Sequence, residues 1–172
     1  MGLLDGMLLL LIGVCLYTDL REQRIYNKVL FPVLLAGLGV NIIFYGLSGL
    51  QQSALGFLLG LAVLLVPYLA GGMGAGDVKL MAVIGVIKGP IFVFEAFLLT
   101  AVAGGLIALF LLIRQGRLRQ TLHTMGVGLK AVFLRIPQGP VEEKTTDRKG
   151  VVFPYGVAIS IGSAMAYLNL LG

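Results

Sequence analysis

The sequence is poor in the residues on which most enzyme chemistries depend. It has one cysteine in 172 residues. Cys15 alone cannot close an internal disulfide or build a paired-cysteine zinc site. Inside the first apolar run it reads as a small buried apolar residue. There is also one histidine, His123, so no His/Cys cluster has metal-ligand spacing. A lone histidine among basic residues suits a solvated side chain better than a catalyst. No serine stands in a Gly-x-Ser-x-Gly setting, and no Gly-x4-Gly-Lys-Ser/Thr phosphate loop occurs. Charge is scarce as well, at 12% of residues, against about 25% in a soluble domain. Together these absences exclude an ordinary soluble domain and leave no metal or cofactor site to expect.

What the chain has in quantity is apolar residues, 58% of the total, with a mean hydropathy of +0.99. This is the composition of an all-α integral membrane protein, with the bilayer as its first partner. Residues 1–172 have room for about six spans of roughly 20 residues each. The expectation is one polytopic domain with no length left for a separate soluble one. The net charge of +5 could suggest nucleic acid, but in so apolar a chain it reads as loop charge that orients the spans, and no nucleic-acid partner is expected. The start, Met1-Gly2-Leu3-Leu4-Asp5, lacks the basic region of a cleaved signal peptide and the Ser/Thr of a myristoylation motif.

Six apolar runs can be marked: Leu3 to Tyr17, Val29 to Leu47, Ala54 to Ala70, Val78 to Ile87, Ile91 to Ile113 and Val151 to Leu171. The stretch Ser48 to Ser53 reads as a turn between the second and third. Pro32 lies near a run's start, where proline costs a helix least, and Pro67 predicts a kink or an early stop. Gly71-Gly72-Met73-Gly74-Ala75-Gly76 is poor helix. The run that follows it reaches only about 15 Å, half of a roughly 30 Å hydrocarbon core. Irregular backbone at depth is tolerated only against protein or water, so the glycine segment is expected to line a cavity. From about 114 to 150 the chain is polar. Leu118, Leu122, Met125, Leu129, Val132, Phe133 and Ile136 recur there at helical spacing among basic residues, which suits an amphipathic helix on the membrane surface followed by loop.

Six spans with both termini outside place every lysine and arginine except Lys88 on the cytoplasmic side, the bias that fixes membrane orientation. The same arrangement puts Asp19 and Asp77 at one, cytoplasmic, end of the bundle. Asp5 and Glu95 fall near outer ends and read as interfacial charges. Two carboxyl groups that meet in a poorly solvated site cannot both ionise easily, so the pair shares a proton. One can then take a proton from water while the other gives one to the scissile carbonyl or the leaving amine. Peptide hydrolysis by this route uses neither metal nor covalent nucleophile.

Gly74-Ala75-Gly76-Asp77-Val78-Lys79 resembles the GxGD motif of the type IV prepilin peptidases and the wider GxGD intramembrane aspartic proteases. Asp19, Arg21, Arg24, Ile25 and Asn27 resemble the same family's pattern of Asp, a few residues, then Arg-Ile-Pro-Asn, with Tyr26 in place of the proline. The resemblance covers nearly the whole chain. It implies a membrane aspartic endopeptidase, with Asp19 and Asp77 as catalytic residues, that removes a short basic leader from a prepilin or pseudopilin at the cytoplasmic face of a bacterial inner membrane. Longer family members carry paired CxxC motifs and an N-methyltransferase activity. With one cysteine this chain resembles the short, peptidase-only branch that processes Flp/Tad-type pilins.

Around that pair, Gly74 and Gly76 are expected to let a substrate backbone approach closely, although small residues also serve helix packing. Lys79 points away from Asp77 on a helix, so it suits snorkelling or topology as well as an electrostatic role. Arg24 and Asn27 either position the segment after Asp19 or lie at the interface. Pro154-Tyr155-Gly156 starts the last run and is expected to leave backbone groups to pair with substrate as a strand, unless Pro154 is an ordinary helix-starting proline. Two other function classes share some of these features. A proton-coupled transporter also carries intramembrane carboxylates and broken helices, though with an internal repeat that is not found here. A non-catalytic scaffold of a secretion or pilus system would tolerate loss of either aspartate.

Overall fold

The computed structural model describes residues 2–22, 25–69, 73–114 and 155–171. These form five helices: α1 (Leu3–Glu22), α2 (Asn27–Leu69), α3 (Ala75–Lys88), α4 (Pro90–Arg114) and α5 (Tyr155–Leu171). No strand occurs among the described residues. The chain divides into two compact units, residues 1–104 with 154–172, and residues 105–153. Of the second, only the C-terminal stretch of α4 lies among the described residues. The expected surface helix and loop of 114–150, His123 included, lie outside them.

The chain is a helical membrane protein, but the expectation of six spans is not supported. Three helices are long and apolar enough to cross a bilayer: α1, α2 and the stretch Pro90–Leu111 of α4. The reason lies in three departures from the sequence reading. The second and third apolar runs belong to one 43-residue helical stretch, interrupted at Gly46 rather than over Ser48 to Ser53. The fourth run is a 14-residue helix, about 21 Å long. The last described helix has 17 residues. Pro67, expected to kink or stop its run, lies inside α2, and residues 70–72 lie outside the described ones.

Gly46 has φ 59° and ψ −136°, a left-handed conformation that a side chain disfavours. It turns α2 back on itself. The first arm runs along α3 in the same direction, since Asn27 meets Lys79 and Gly37 meets Ile87. The second arm runs the opposite way, with Ser53 at Val86, Gly56 at Gly85 and Gly60 at Met81. Close approach is possible because the buried face of the second arm carries Gly49, Ser53, Gly56 and Gly60, small residues at helical spacing. An ideal Cβ on Gly56 would lie 2.1 Å from the Gly85 oxygen, and one on Gly85 would lie 2.1 Å from the Gly56 oxygen.

α3 is therefore the central helix. Every residue from Leu80 to Ile87 is buried, as expected of a short helix that is apolar all round. It ends where Gly89 takes φ 85° and Pro90 opens α4. A helix end leaves carbonyls without intrahelical partners. Here the two arms of α2 supply the donors. Asn41 Nδ2 donates to the Val86 and Ile87 carbonyls (2.9 and 3.4 Å), and Ser53 Oγ donates to Val86 (2.9 Å).

α5 packs against α1 and α3. It also meets α4, where Gly162 backs onto Thr100 and Asn169 donates to Glu95. At the Gly89 end of α3, Lys88 pairs with Asp5 and lies 5.2 Å from the Tyr167 ring centroid and 5.8 Å from that of Phe92. Asp5 and Glu95, read from the sequence as interfacial charges, are thus both engaged by side chains of other helices.

Candidate active site

Asp19 lies inside α1 rather than in the polar segment after it. The buried residues of α1 are Leu8, Leu11, Ile12, Cys15 and Asp19, a seam with the period of the α-helix. Asp19 extends the apolar face by one turn and is buried by the same packing that buries Cys15. Its exposure is 6%, and that of Asp77 is 8%. Two carboxyl groups buried to this extent need polar partners.

Each aspartate finds them at a helix start. Gly74 is the N-cap of α3 and Asp77 its third residue. The Gly74 N–H donates to Asp77 Oδ2 at 3.2 Å, and the Asp77 N–H donates to the Gly74 carbonyl at 3.2 Å. The carboxylate thus turns back onto the positive end of its own helix, the reciprocal half of a capping box. Asp19 is held by a different helix. The Val157 N–H, in the first turn of α5, donates to Asp19 Oδ2 at 3.1 Å, and the Gly156 N–H also reaches this carboxyl group. The two carboxyl groups are near enough to interact electrostatically. Half-buried Tyr155 lies within electrostatic reach of Asp77. The starts of α3 and α5 and the end of α1 therefore converge on one buried pair of acids.

The residues expected to support the pair divide into three groups. Gly76 joins the two motif segments, since an ideal Cβ there would lie 3.0 Å from Ile25 Cβ. Gly74 is close to the acid it caps, with an ideal Cβ 3.2 Å from Asp77 Oδ2. These glycines bring the protein's own chain together at the site. Lys79 and Asn27 meet each other, with Lys79 Nζ donating to Asn27 Oδ1 at 3.2 Å, on an exposed face. A cavity of about 310 Å³ lies beside this pair, walled mainly by Leu30, Phe31, Leu34, Phe57, Leu61 and Val83. Arg24, Pro154, Gly71 and Gly72 lie outside the described residues. Sequence reasoning pointed to the start of the last run, either as backbone left for substrate or as an ordinary helix start. The Val157 N–H of that turn donates to Asp19. No group of three or more potential metal ligands occurs among the described residues.

The model of the type IV leader peptidase family matches residues 6–109, more than half of the chain, and the matched stretch contains Asp19, Gly74, Gly76 and Asp77. The chain belongs to the type IV leader peptidase family. Membership makes it a peptidase, and the apolar helices make it a membrane-embedded one. No curated protein and no solved structure shows significant similarity to it. The family match ends before α5, so the helix that holds Asp19 through Gly156 and Val157 is outside the matched stretch.

Proposed function

We propose that Asp19 and Asp77 form the catalytic dyad of a leader peptidase that cuts prepilin or pseudopilin substrates at the cytoplasmic face of a bacterial inner membrane. The observation that supports this reading is the burial of two acids from distant parts of the sequence within electrostatic reach of one another, each meeting a backbone donor at a helix start. Backbone donors fix the carboxyl oxygens without neutralising both acids through a cation, so one can be a carboxylate while the other keeps its proton. The carboxylate accepts a proton from a water as its oxygen attacks the scissile carbonyl carbon. The carboxylic acid donates to the carbonyl oxygen. Collapse of the tetrahedral intermediate re-forms the carbonyl and breaks the C–N bond: the hydroxyl proton returns to the acid that gave it, and the proton first taken from water passes to the leaving amine. Placement of the dyad near a membrane face suits a substrate with a polar leader and a following apolar helix. The cleaved segment must be extended, since amides within a helix are already hydrogen-bonded.

Three further features favour the short Flp/Tad-type branch and the proposed orientation. The 172 residues hold one cysteine, too few for a paired-cysteine site among them. Arg21 in the last turn of α1, Lys28 in the first turn of α2 and Lys79 near the start of α3 lie toward the Asp19 and Asp77 end, the bias of a cytoplasmic side. Lys88 lies at the end of α3 opposite Asp77. The test is co-expression of a tagged Flp-type prepilin with wild type, Asp19→Asn and Asp77→Asn, with the membrane level of each variant measured. Wild type is expected to shorten the prepilin and both variants to leave it intact. Processing that persists in either well-inserted variant contradicts the dyad.

A further inference from the structure

The acid pair is described by its own two helices, but the closest approach in the site involves a third. An ideal Cβ on Gly156 would lie 2.7 Å from Asp19 Cγ, 2.7 Å from Oδ2 and 3.1 Å from Cβ. Real Cβ atoms do not approach other atoms to 2.7 Å. The obstructed group cannot yield easily, because Asp19 is 6% exposed and its Oδ2 is held by the Val157 N–H. Gly156 has no backbone reason to be glycine, since its φ is not in the left-handed region. In a helix, alanine at such a position is ordinarily the more stabilising residue. The glycine is thus explained by the carboxyl group that occupies the place of its side chain.

We infer that Gly156 is a positioning residue of the peptidase, and that the first turn of α5 is the part of the site that aims Asp19. Without a side chain at 156, the α5 backbone comes down onto Asp19, and the Val157 N–H holds its Oδ2 at 3.1 Å. The turn is itself anchored, because Ser160 Oγ donates to the Gly156 carbonyl at 2.7 Å. It also carries Tyr155 toward Asp77, so one turn of helix addresses both acids. A methyl group at 156 separates Asp19 from these donors and rotates or displaces its carboxyl group. This inference rests on the dyad reading. It assigns a role to a residue beyond the stretch that the family model matches.

The experiment pairs a stability cycle with kinetics. Melting temperatures of the full-length protein in detergent are compared for wild type, Gly156→Ala, Asp19→Ala and the double variant. Gly156→Ala is expected to lower the melting temperature when Asp19 is present. It is expected to lower it by much less in the Asp19→Ala background, where Cγ and Oδ2 are gone and only the 3.1 Å approach to Cβ remains. On a prepilin substrate, Gly156→Ala is expected to lower kcat by about 100-fold, the order of loss from a 1 Å misplacement, with KM within about twofold of wild type. Gly13→Ala, in an open position on α1, serves as the control that keeps wild-type kinetics.

The same change in melting temperature in both backgrounds overturns the contact. Coupled stability with unchanged kcat overturns the positioning role, as does a loss carried by KM alone. A wild type that leaves prepilin uncut overturns the functional reading and this role with it, while the stability cycle still reports the Gly156–Asp19 contact separately.

Discussion

The reciprocal approach of Gly56 and Gly85 gives a measurable consequence. In Gly85→Ala the new methyl carbon would sit 2.1 Å from the Gly56 oxygen, against 3.4 Å or more for ordinary contact. The second arm of α2 and α3 must part by about 1.3 Å, an overpacking displacement that costs about 3 kcal/mol. Helix propensity returns about 1 kcal/mol for glycine to alanine. The net expected loss is about 2 kcal/mol. Gly56→Ala meets the same obstacle from the other side, at 2.1 Å from the Gly85 oxygen. Because both substitutions are relieved by one separation, the double variant should lose less than the sum of the singles. Gly13→Ala, with nothing within 4 Å of an ideal Cβ, should instead gain up to about 1 kcal/mol. The assay is reversible unfolding in mixed micelles with a helix signal as readout. A Gly85→Ala protein at least as stable as wild type refutes the packing described here. Asp77 lies about two turns before Gly85 on the same helix, so cleavage should fall along with stability.

Three further outcomes follow from the other end of α3. Asn41→Leu removes the side-chain donor to the Ile87 carbonyl and one of two to Val86 and should cost about 1–3 kcal/mol in the same assay. Ser53→Ala should cost less, because Asn41 still serves Val86. Lys88→Met removes the ion pair to Asp5 and the contacts with the Tyr167 and Phe92 rings. It should lower stability by about 1–2 kcal/mol while kcat stays near wild type, since Lys88 is remote from Asp77 along α3. A large kcat loss in well-folded Lys88→Met would show that this end of the bundle is coupled to the site.

The parts of the architecture legible in the sequence were those written in composition and local pattern. Apolar runs separated by polar or glycine-rich stretches gave the helical membrane class and nearly all of the helix positions. Asp19 and Asp77 stood out because acids beside apolar runs are costly and few. The span count was not legible, because run length alone cannot tell a lipid-crossing helix from one enclosed by its neighbours. Val78 to Ile87 was short for a span, yet its role as the central helix depends on glycines in another helix. The hairpin turn was misplaced to Ser48–Ser53 because polar residues mark turns in water. In this bundle Ser53 is turned inward to a carbonyl, and Gly46 makes the turn by its positive φ. The spacing of Gly49, Ser53, Gly56 and Gly60 was a readable sign of that packing face.

The site was partly legible for a similar reason. The GxGD segment places Asp77 and its capping glycine within four residues, so local sequence contains that geometry. Asp19 could be placed as well, since Leu8, Leu11, Ile12 and Cys15 predict its face by periodicity. What holds Asp19 comes from α5, far along the chain, through main-chain N–H groups that any residue but proline possesses. No side-chain identity announces such a contact. The only trace is a glycine in the first turn of α5, where helix propensity would favour another residue.

The most direct test of the dyad uses purified protein reconstituted in proteoliposomes with a purified Flp-type prepilin, followed by mass spectrometry of the products. Wild type is predicted to release one leader peptide by cleavage at a single bond, while Asp19→Asn and Asp77→Asn, each shown to be folded by its melting temperature, release none. Leader release by either folded variant would contradict the account.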